Sequence, residues 1–318
     1  MTLGGSTPLV SENDRVRLLR SSPPPRWGRV RVGVCVRFGG VLAVLGAMIA
    51  VTLNPSGALA EREIRFGSVA MDIPAEMYRR LAPLTKYLGN ELGQPVVLKL
   101  SPNMTKAVED VSSGAVDFTY LTPVAYIRSH ALGKTRLVAK MVTSGKGSFQ
   151  LMIVVREDSP IRRVGDLAGR TFAFGDKAAL LQRAVVAGAG MSLENLGKYE
   201  YVGHYDVIAR KVRDGDFDAG VLKDTTALEW EGKGLRILHR SPHLPPYCVV
   251  ASPKVDEGLL KKVREAFLRL DEKNPAHRPV IQSLDREYDG FAPVTDAEYD
   301  VVRRLIAPFD KREKSPRP

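Results

Sequence analysis

A stretch that occurs twice constrains this chain's architecture more than any other feature. Val108 to Thr122 reads VEDVSSGAVDFTYLT and Ala209 to Lys223 reads ARKVRDGDFDAGVLK, so Val111 matches Val212, Gly114 matches Gly215 and Asp117 matches Asp218. Each copy has the pattern of a helix end, a G-x-x-D turn and an apolar strand, with glycine where a helix C-cap takes a left-handed residue. Two lobes of like topology facing one cleft produce such a repeat. The plainer reading is one common helix-to-strand turn used twice. The two strands end at Thr122 and Lys223, both candidate ligand contacts.

Strand and helix patterns alternate around these copies. Ile64 to Val69 alternates as a short strand, Asp72 to Gly89 carries Met77, Leu81, Leu84 and Leu88 at helical spacing around Pro83, and Val96 to Leu100 is the next strand. That β-α-β unit predicts a parallel sheet, whose ligands gather at the carboxyl ends of the strands; Val69 to Ile73 and Ser101 to Thr105 are candidate rim positions. Further on, Leu151 to Val155 reads as a buried strand, Val164 to Leu167 as a helical turn closed by Gly169, and Thr171 to Phe174 as a second buried strand. This last strand stops at Gly175-Asp176, just before an apolar helix expected from about Ala178 to Ala187. A strand ending at a helix N-terminus is an anion-binding geometry, because unpaired amides and the positive end of the dipole converge there. Asp206 is the expected N-cap of a later helix, and Thr295 with Glu298 is a capping box that starts a last helix running to Ile306.

Residues 1 to 60 have a different character. Arg15, Arg17, Arg20, Arg26, Arg29, Arg31 and Arg37 precede an apolar run from Val41 to Leu53, followed by Asn54-Pro55 and Ala58-Leu59-Ala60. These are the n-region, h-region and A-x-A cleavage site of a secretory signal peptide. A membrane anchor needs roughly 20 apolar residues; the run from Phe38 to Leu53 is shorter. Cleavage after Ala60 and a periplasmic location are expected. The leader holds seven arginines and two acids, so its removal lowers the formal net charge from +11 to +6. A mildly basic body suits an anionic ligand or an acidic partner. Export, and the lack of a basic stripe with interleaved aromatics, argue against nucleic acid. Cys248 is the one cysteine left after cleavage, which excludes an intramolecular disulfide and paired-cysteine metal sites. There is no G-x-S-x-G, P-loop or HExxH, and His204 with Asp206 lacks a companion serine. Binding without turnover, metal or cofactor is the expectation.

Eight segments follow one another between Ile64 and Phe309: Tyr87-Leu88 through Gly93-Gln94-Pro95-Val96, Gly114 to Asp117, Leu121-Thr122-Pro123 with Tyr126, Asp158 to Ile161, Asp166 to Gly169, Gly203-His204, Gly215 to Asp218, and Ser241-Pro242 with Leu244-Pro245. In this order the chain resembles the phosphate/phosphite/phosphonate family of periplasmic binding proteins that serve ABC transporters. The resemblance implies an α/β fold of the type 2 periplasmic-binding-protein kind, with two lobes, each a mainly parallel sheet flanked by helices, and a ligand cleft between them. Residues 61–147 and 248–310 would form the first lobe, 148–247 the second, and 311–318 a disordered tail. The lobes would close through crossings near 145–149 and 246–251. The implied partners of this monomer are a small ligand and an ABC permease in the inner membrane. A sensory domain docking on a histidine kinase is the alternative, distinguished by a kinase gene in place of neighbouring permease and ATPase genes.

The chain departs from that family where the ligand would sit. The family's Ser-Thr-Ser-Gly run after the strand-closing Gly-Asp-Pro has become Lys177-Ala178-Ala179-Leu180-Leu181, Phe149 stands where a tyrosine is expected, and Asn103-Met104 replaces another. Pro245-Pro246-Tyr247 lacks the acid that meets a ligand amine, while His204 remains. Three lost hydrogen bonds to a charged group, at about 1.5–3 kcal/mol each, weaken phosphonate binding about a thousandfold or more. The candidate ligand-binding residues are therefore Met104, Thr122, Tyr126, Phe149, Asp176, Lys177, Ala178, Ala179, His204, Lys223 and Tyr247. The expected ligand is anionic or strongly polar. If the Asp176 carboxylate caps the helix it consumes the donors an anion needs, which leaves a neutral or cationic organic ligand as the alternative.

Overall fold

The apolar runs and helical periods of the sequence become strands and helices in the computed structural model, which describes residues 62–69 and 73–314. All of these lie in one unit, Gly57–Pro318. The signal-peptide reading of residues 1–60, the rim positions 70–72 and the end of the tail, 315–318, fall outside the described residues. In chain order the first elements are β1 (Ile64–Val69), α1 (Pro74–Leu92), β2 (Val96–Ser101), α2 (Met104–Ser113), β3 (Phe118–Leu121), α3 (Pro123–Gly133) and β4 (Arg136–Thr143). Next come β5 (Leu151–Arg156), β6 (Thr171–Phe174), α4 (Leu180–Gly188), β7 (Lys198–Tyr201), α5 (Tyr205–Arg213), β8 (Ala219–Lys223), α6 (Asp224–Trp230) and β9 (Leu235–Arg240). The chain ends with β10 (Cys248–Ala251), α7 (Glu257–Leu268), α8 (Arg278–Ile281), β11 (Tyr288–Ala292) and α9 (Asp300–Lys314). No helix among the described residues is long and apolar enough to cross a membrane.

Two sheets result, ordered β11-β4-β10-β3-β1-β2 and β7-β6-β8-β5-β9. β1 runs parallel to β2 and β3, and β6 parallel to β7 and β8, whereas the pairs made by β10, β11 and β5 are antiparallel. Both sheets are thus mixed, where the sequence reading had mainly parallel ones. The reason is topological. A parallel neighbour needs a crossover connection, usually a helix, and β5 and β10 enter their sheets from helix-free segments, 144–150 and 241–247, that pass between the sheets. These two segments pair with each other: Phe149 N donates to Leu244 O (3.0 Å) and Leu244 N to Phe149 O (2.8 Å).

Each sheet buries both faces. Leu151, Ile153 and Val155 of β5 pack with Phe172, Phe174 and Val221, while Met152 and Val154 pack on the opposite face with Ala173 and Leu222, the period-two alternation of a strand. In the first sheet Phe66, Phe118 and Val249 pack with α1 and α7, and Cys248 and Val250 with Val111 of α2 and Tyr126 of α3. Full burial of side chains this large contributes roughly 1.5–3 kcal/mol each. The Thr295–Glu298 capping box forms and heads a 3-10 turn that leads into α9. That helix continues to Lys314, beyond Ile306 and into the segment read as a tail. Residues 300–310 were read as part of the first lobe. Val302 and Ile306 instead join the second sheet's cluster, because α4 offers them an apolar face, while Tyr299 stays with the first sheet.

The sequence repeat has one structural meaning in both sheets. Gly114 and Gly215 adopt left-handed backbone (φ 76° and 86°), which ends α2 and α5 at little steric cost. Three residues on, Asp117 accepts a hydrogen bond from Arg65 N (2.8 Å) and Asp218 one from Thr171 N (2.9 Å). Each aspartate therefore ties the strand that follows it to the adjacent parallel strand, β1 or β6, and sets the register of the pair.

Candidate functional site

The carboxyl end of β6 is held by the Gln182 side chain, which leaves no room for a larger residue at Gly175. Gly175 N donates to Gln182 Oε1 (2.8 Å), and a Cβ on Gly175 would lie 2.8 Å from Gln182 Nε2 and 2.9 Å from Gly203 O. Gln182 Nε2 in turn donates to the Tyr205 hydroxyl (3.4 Å). Beyond the glycine, Asp176 Oδ1 accepts from Ala178 N (2.8 Å) and Asp176 O from Ala179 N (2.9 Å). Residues 176–179 form a turn, and α4 begins at Leu180 rather than near Ala178. The amides of Ala178 and Ala179, expected to face a ligand, are both occupied. Leu180 and Leu181 are buried core residues.

Other candidates divide between the surface and the core. His204 is exposed at the N-cap of α5 without a side-chain capping bond, and Asp206 is the second helical residue rather than the cap expected of it. Thr122 caps α3, its hydroxyl accepting from Ala125 N (3.2 Å), and Met104 opens α2 half-buried. Phe149 is half-buried on the crossing. Lys223 ends β8 in an ion pair with Glu287 (2.6 Å), and Lys177 is exposed on the turn. Tyr126 points into the core. Its hydroxyl donates to Asp296 (2.6 Å), its ring lies 4.6 Å from that of Tyr299, and burial, then the bond to Asp296, raises its pKa well above that of a free tyrosine.

Tyr247 lies in an aromatic group that the sequence reading missed. Its ring stacks on Tyr120 (centroids 5.0 Å), and the Tyr120 hydroxyl bonds that of Tyr288. Tyr247 stays 36% exposed, yet burial among protein atoms, with added repulsion from Tyr205, Asp285 and Asp176, pushes its hydroxyl up to about 12. Tyr247 is thus an accessible ring on a buried tyrosine, with the Asp285 and Asp176 carboxylates near enough to act on its hydroxyl.

A cavity of about 320 Å³ gathers three sequence-read residues, Met104, Thr122 and Ala178, and adds Arg128 of α3 and Arg183 of α4. A larger groove of about 540 Å³ between α4 and α9 contains none of the candidates. No group of three metal-ligating side chains occurs among the described residues.

Comparison with known proteins places this architecture. The family profile described as ABC transporter, phosphonate, periplasmic substrate-binding protein matches residues 66–299. The chain is 22% identical over 298 residues to the phosphate-import protein PhnD of Mycolicibacterium smegmatis, covering 83% of this chain and 92% of that protein. Among solved structures it is similar to XAC2383 from Xanthomonas citri bound to ATP (TM-score 0.65, 18% identity, 80% of this chain and 99% of that one). It is also similar to PhnD1 from Prochlorococcus marinus in complex with methylphosphonate (TM-score 0.61, 18% identity, 79% of this chain and 99% of that one). The shared architecture is the two-lobed α/β fold of type 2 periplasmic binding proteins.

Proposed function

The chain belongs to the family of periplasmic phosphonate substrate-binding proteins of ABC transporters, and from that premise we propose that it is exported, captures a small anionic or polar ligand between its two sheets, and presents it to an importer's permease without turning it over. Two lobes, built on the two sheets and hinged at the paired segments 144–150 and 241–247, would close on the ligand. The PhnD relative is named for phosphate import, and the two structural relatives hold ATP and methylphosphonate. All three ligands carry phosphoryl oxygens.

We further propose that this pocket has left the hydroxyl-lined cradle that its sequence resemblance implies. The observation that carries this reading is the Asp176–Ala178 hydrogen bond: the turn before α4 offers no hydroxyl, spends the Ala178 and Ala179 amides internally and presents a carboxylate. Phosphate and methylphosphonate would then bind weakly. A second reading, a neutral or cationic organic ligand, is favoured by Tyr247 and Tyr120 beside Asp176 and Asp285, since aromatic faces and carboxylates attract cations.

Native mass spectrometry of protein purified from the periplasm without refolding tests capture directly. A small molecule that travels with the folded chain and leaves on unfolding supports the reading. Its absence, together with failure to bind any solute of a broad organic panel, contradicts it.

A further inference from the structure

We propose that Arg128 and Arg183 form a two-arginine clamp for an oxyanion, the phosphoryl, sulfonyl or carboxyl end of a small organic ligand, in the cavity between α3 and α4. The proposal rests on the reading that the ligand is anionic, and relocates its recognition from the amides after β6 to two guanidinium groups.

The cavity has the chemistry for this role. Its lining residues include Arg128 and Arg183 with the hydroxyl-bearing Thr105 and Thr122, and no aspartate or glutamate among the described residues. Arg183 Nη2 donates to Lys177 O (3.1 Å), which fixes the fork, while its Nε is buried without a hydrogen-bond partner. A buried guanidinium N–H with no acceptor costs free energy, and a change of side-chain rotamer that brings it to an oxygen in the cavity would recover that cost. Arg136 and Arg236 also leave Nε unpaired, but neither lines this cavity. Arg183 is the one that does. Arg128, from the other side, is half-exposed and meets Asp310 at 3.8 Å.

Geometry adds a consequence. Arg128 lies on the helix that follows β3 of the first sheet, and Arg183 on the helix that follows β6 of the second. An oxyanion bonded to both draws the two layers together, and the planar fork of each arginine suits paired oxygens in a way that a lysine point charge does not. The loss of hydroxyls at residues 177–179 and the presence of these two arginines are then parts of one change.

The test titrates the mature protein purified from the periplasm with sulfate, inorganic phosphate, methanesulfonate and a longer alkanesulfonate at constant ionic strength, with choline as the cationic control, followed by calorimetry and thermal unfolding. The wild type should bind the oxyanions, the longer organic one most tightly, and choline least. Arg183→Met and Arg128→Met should each lower oxyanion affinity at least tenfold, and Arg183→Lys should give an intermediate loss, with far-ultraviolet circular dichroism reporting that each variant is folded. Oxyanion affinities unchanged in both Met variants, or a wild type that binds none of the four, overturns the clamp. The underlying reading fails separately: sub-micromolar phosphate binding lost in the arginine variants would keep the clamp and refute the weakened pocket. Tight choline binding indifferent to both arginines would overturn the clamp and favour the cationic ligand.

Discussion

Asp176 Oδ1 accepts a hydrogen bond from the Ala178 amide at 2.8 Å, and this contact determines what the end of β6 can offer an anion. A hydrogen bond to a charged group contributes about 1.5–3 kcal/mol. An anion arriving at the same amide must displace the carboxylate and endure its repulsion. Asp176→Ala frees the donor and removes the charge, so methylphosphonate affinity should rise about tenfold or more. Calorimetry on the pair checks this, and equal affinities would show that the turn does not face the ligand.

Tyr126 separates a core role from a binding role. It was read as a ligand contact because it follows the strand-ending Thr122-Pro123, but its hydroxyl is committed to Asp296. We expect Tyr126→Phe to cost about 1–2 kcal/mol in urea unfolding, at the low end for a charged acceptor because Asp296 is half-exposed. Affinity for whatever ligand the protein carries should stay within about twofold. A stable variant with lost affinity would place Tyr126 in the site.

The carboxylate of Asp117 gives a pH dependence whose sign follows from its partners. Burial works to raise its pKa, but the side-chain and main-chain hydrogen bonds from Arg65, with the Arg65 and Arg62 charges, outweigh burial and hold it below the ordinary carboxylate value. A carboxylate with a depressed folded-state pKa stabilises fully above its unfolded value of about 4, and that contribution is lost as pH falls through the lower folded value. Asp117→Asn should therefore cost about 2–4 kcal/mol at pH 7. The gap between variant and wild type should narrow below about pH 4. Urea unfolding at pH 7 and pH 3.5 measures both, and a gap that does not narrow would assign the loss to packing.

Export is checked by N-terminal sequencing of protein recovered from the periplasm. The chain should begin at Glu61, after Ala58-Leu59-Ala60. An intact leader in the membrane fraction would show it to be an anchor.

Strands and their ends were legible wherever local pattern decides them. Thr171 to Phe174 and Ile64 to Val69 form as read, because β-branched and aromatic runs bounded by turn residues have few alternatives. Strand direction was not legible, since β5 and β10 run antiparallel for a reason that lies in the crossings rather than in their own residues. The start of α4 moved two residues because the Asp176 side chain competes with the helix for the Ala178 amide, a local contest that helical periodicity does not register. The residues gathered in the candidate cavity were legible only in part. Arg128 and Arg183 are separated by 55 positions, and Tyr120 meets Tyr288 across 168; nothing in either neighbourhood marks such pairs. The core bond of Tyr126 was equally hidden, because its partner Asp296 is 170 residues distant.

Calorimetric titration of the mature protein with phosphate, phosphite and a series of alkylphosphonates tests most directly the claim that the pocket has left the family's hydroxyl-lined anion cradle. Loss of three charged-group hydrogen bonds predicts affinities about a thousandfold or more below those of a complete cradle, with all of these probes binding more weakly than about 1 μM. Sub-micromolar binding of any of them to the wild type would contradict the account.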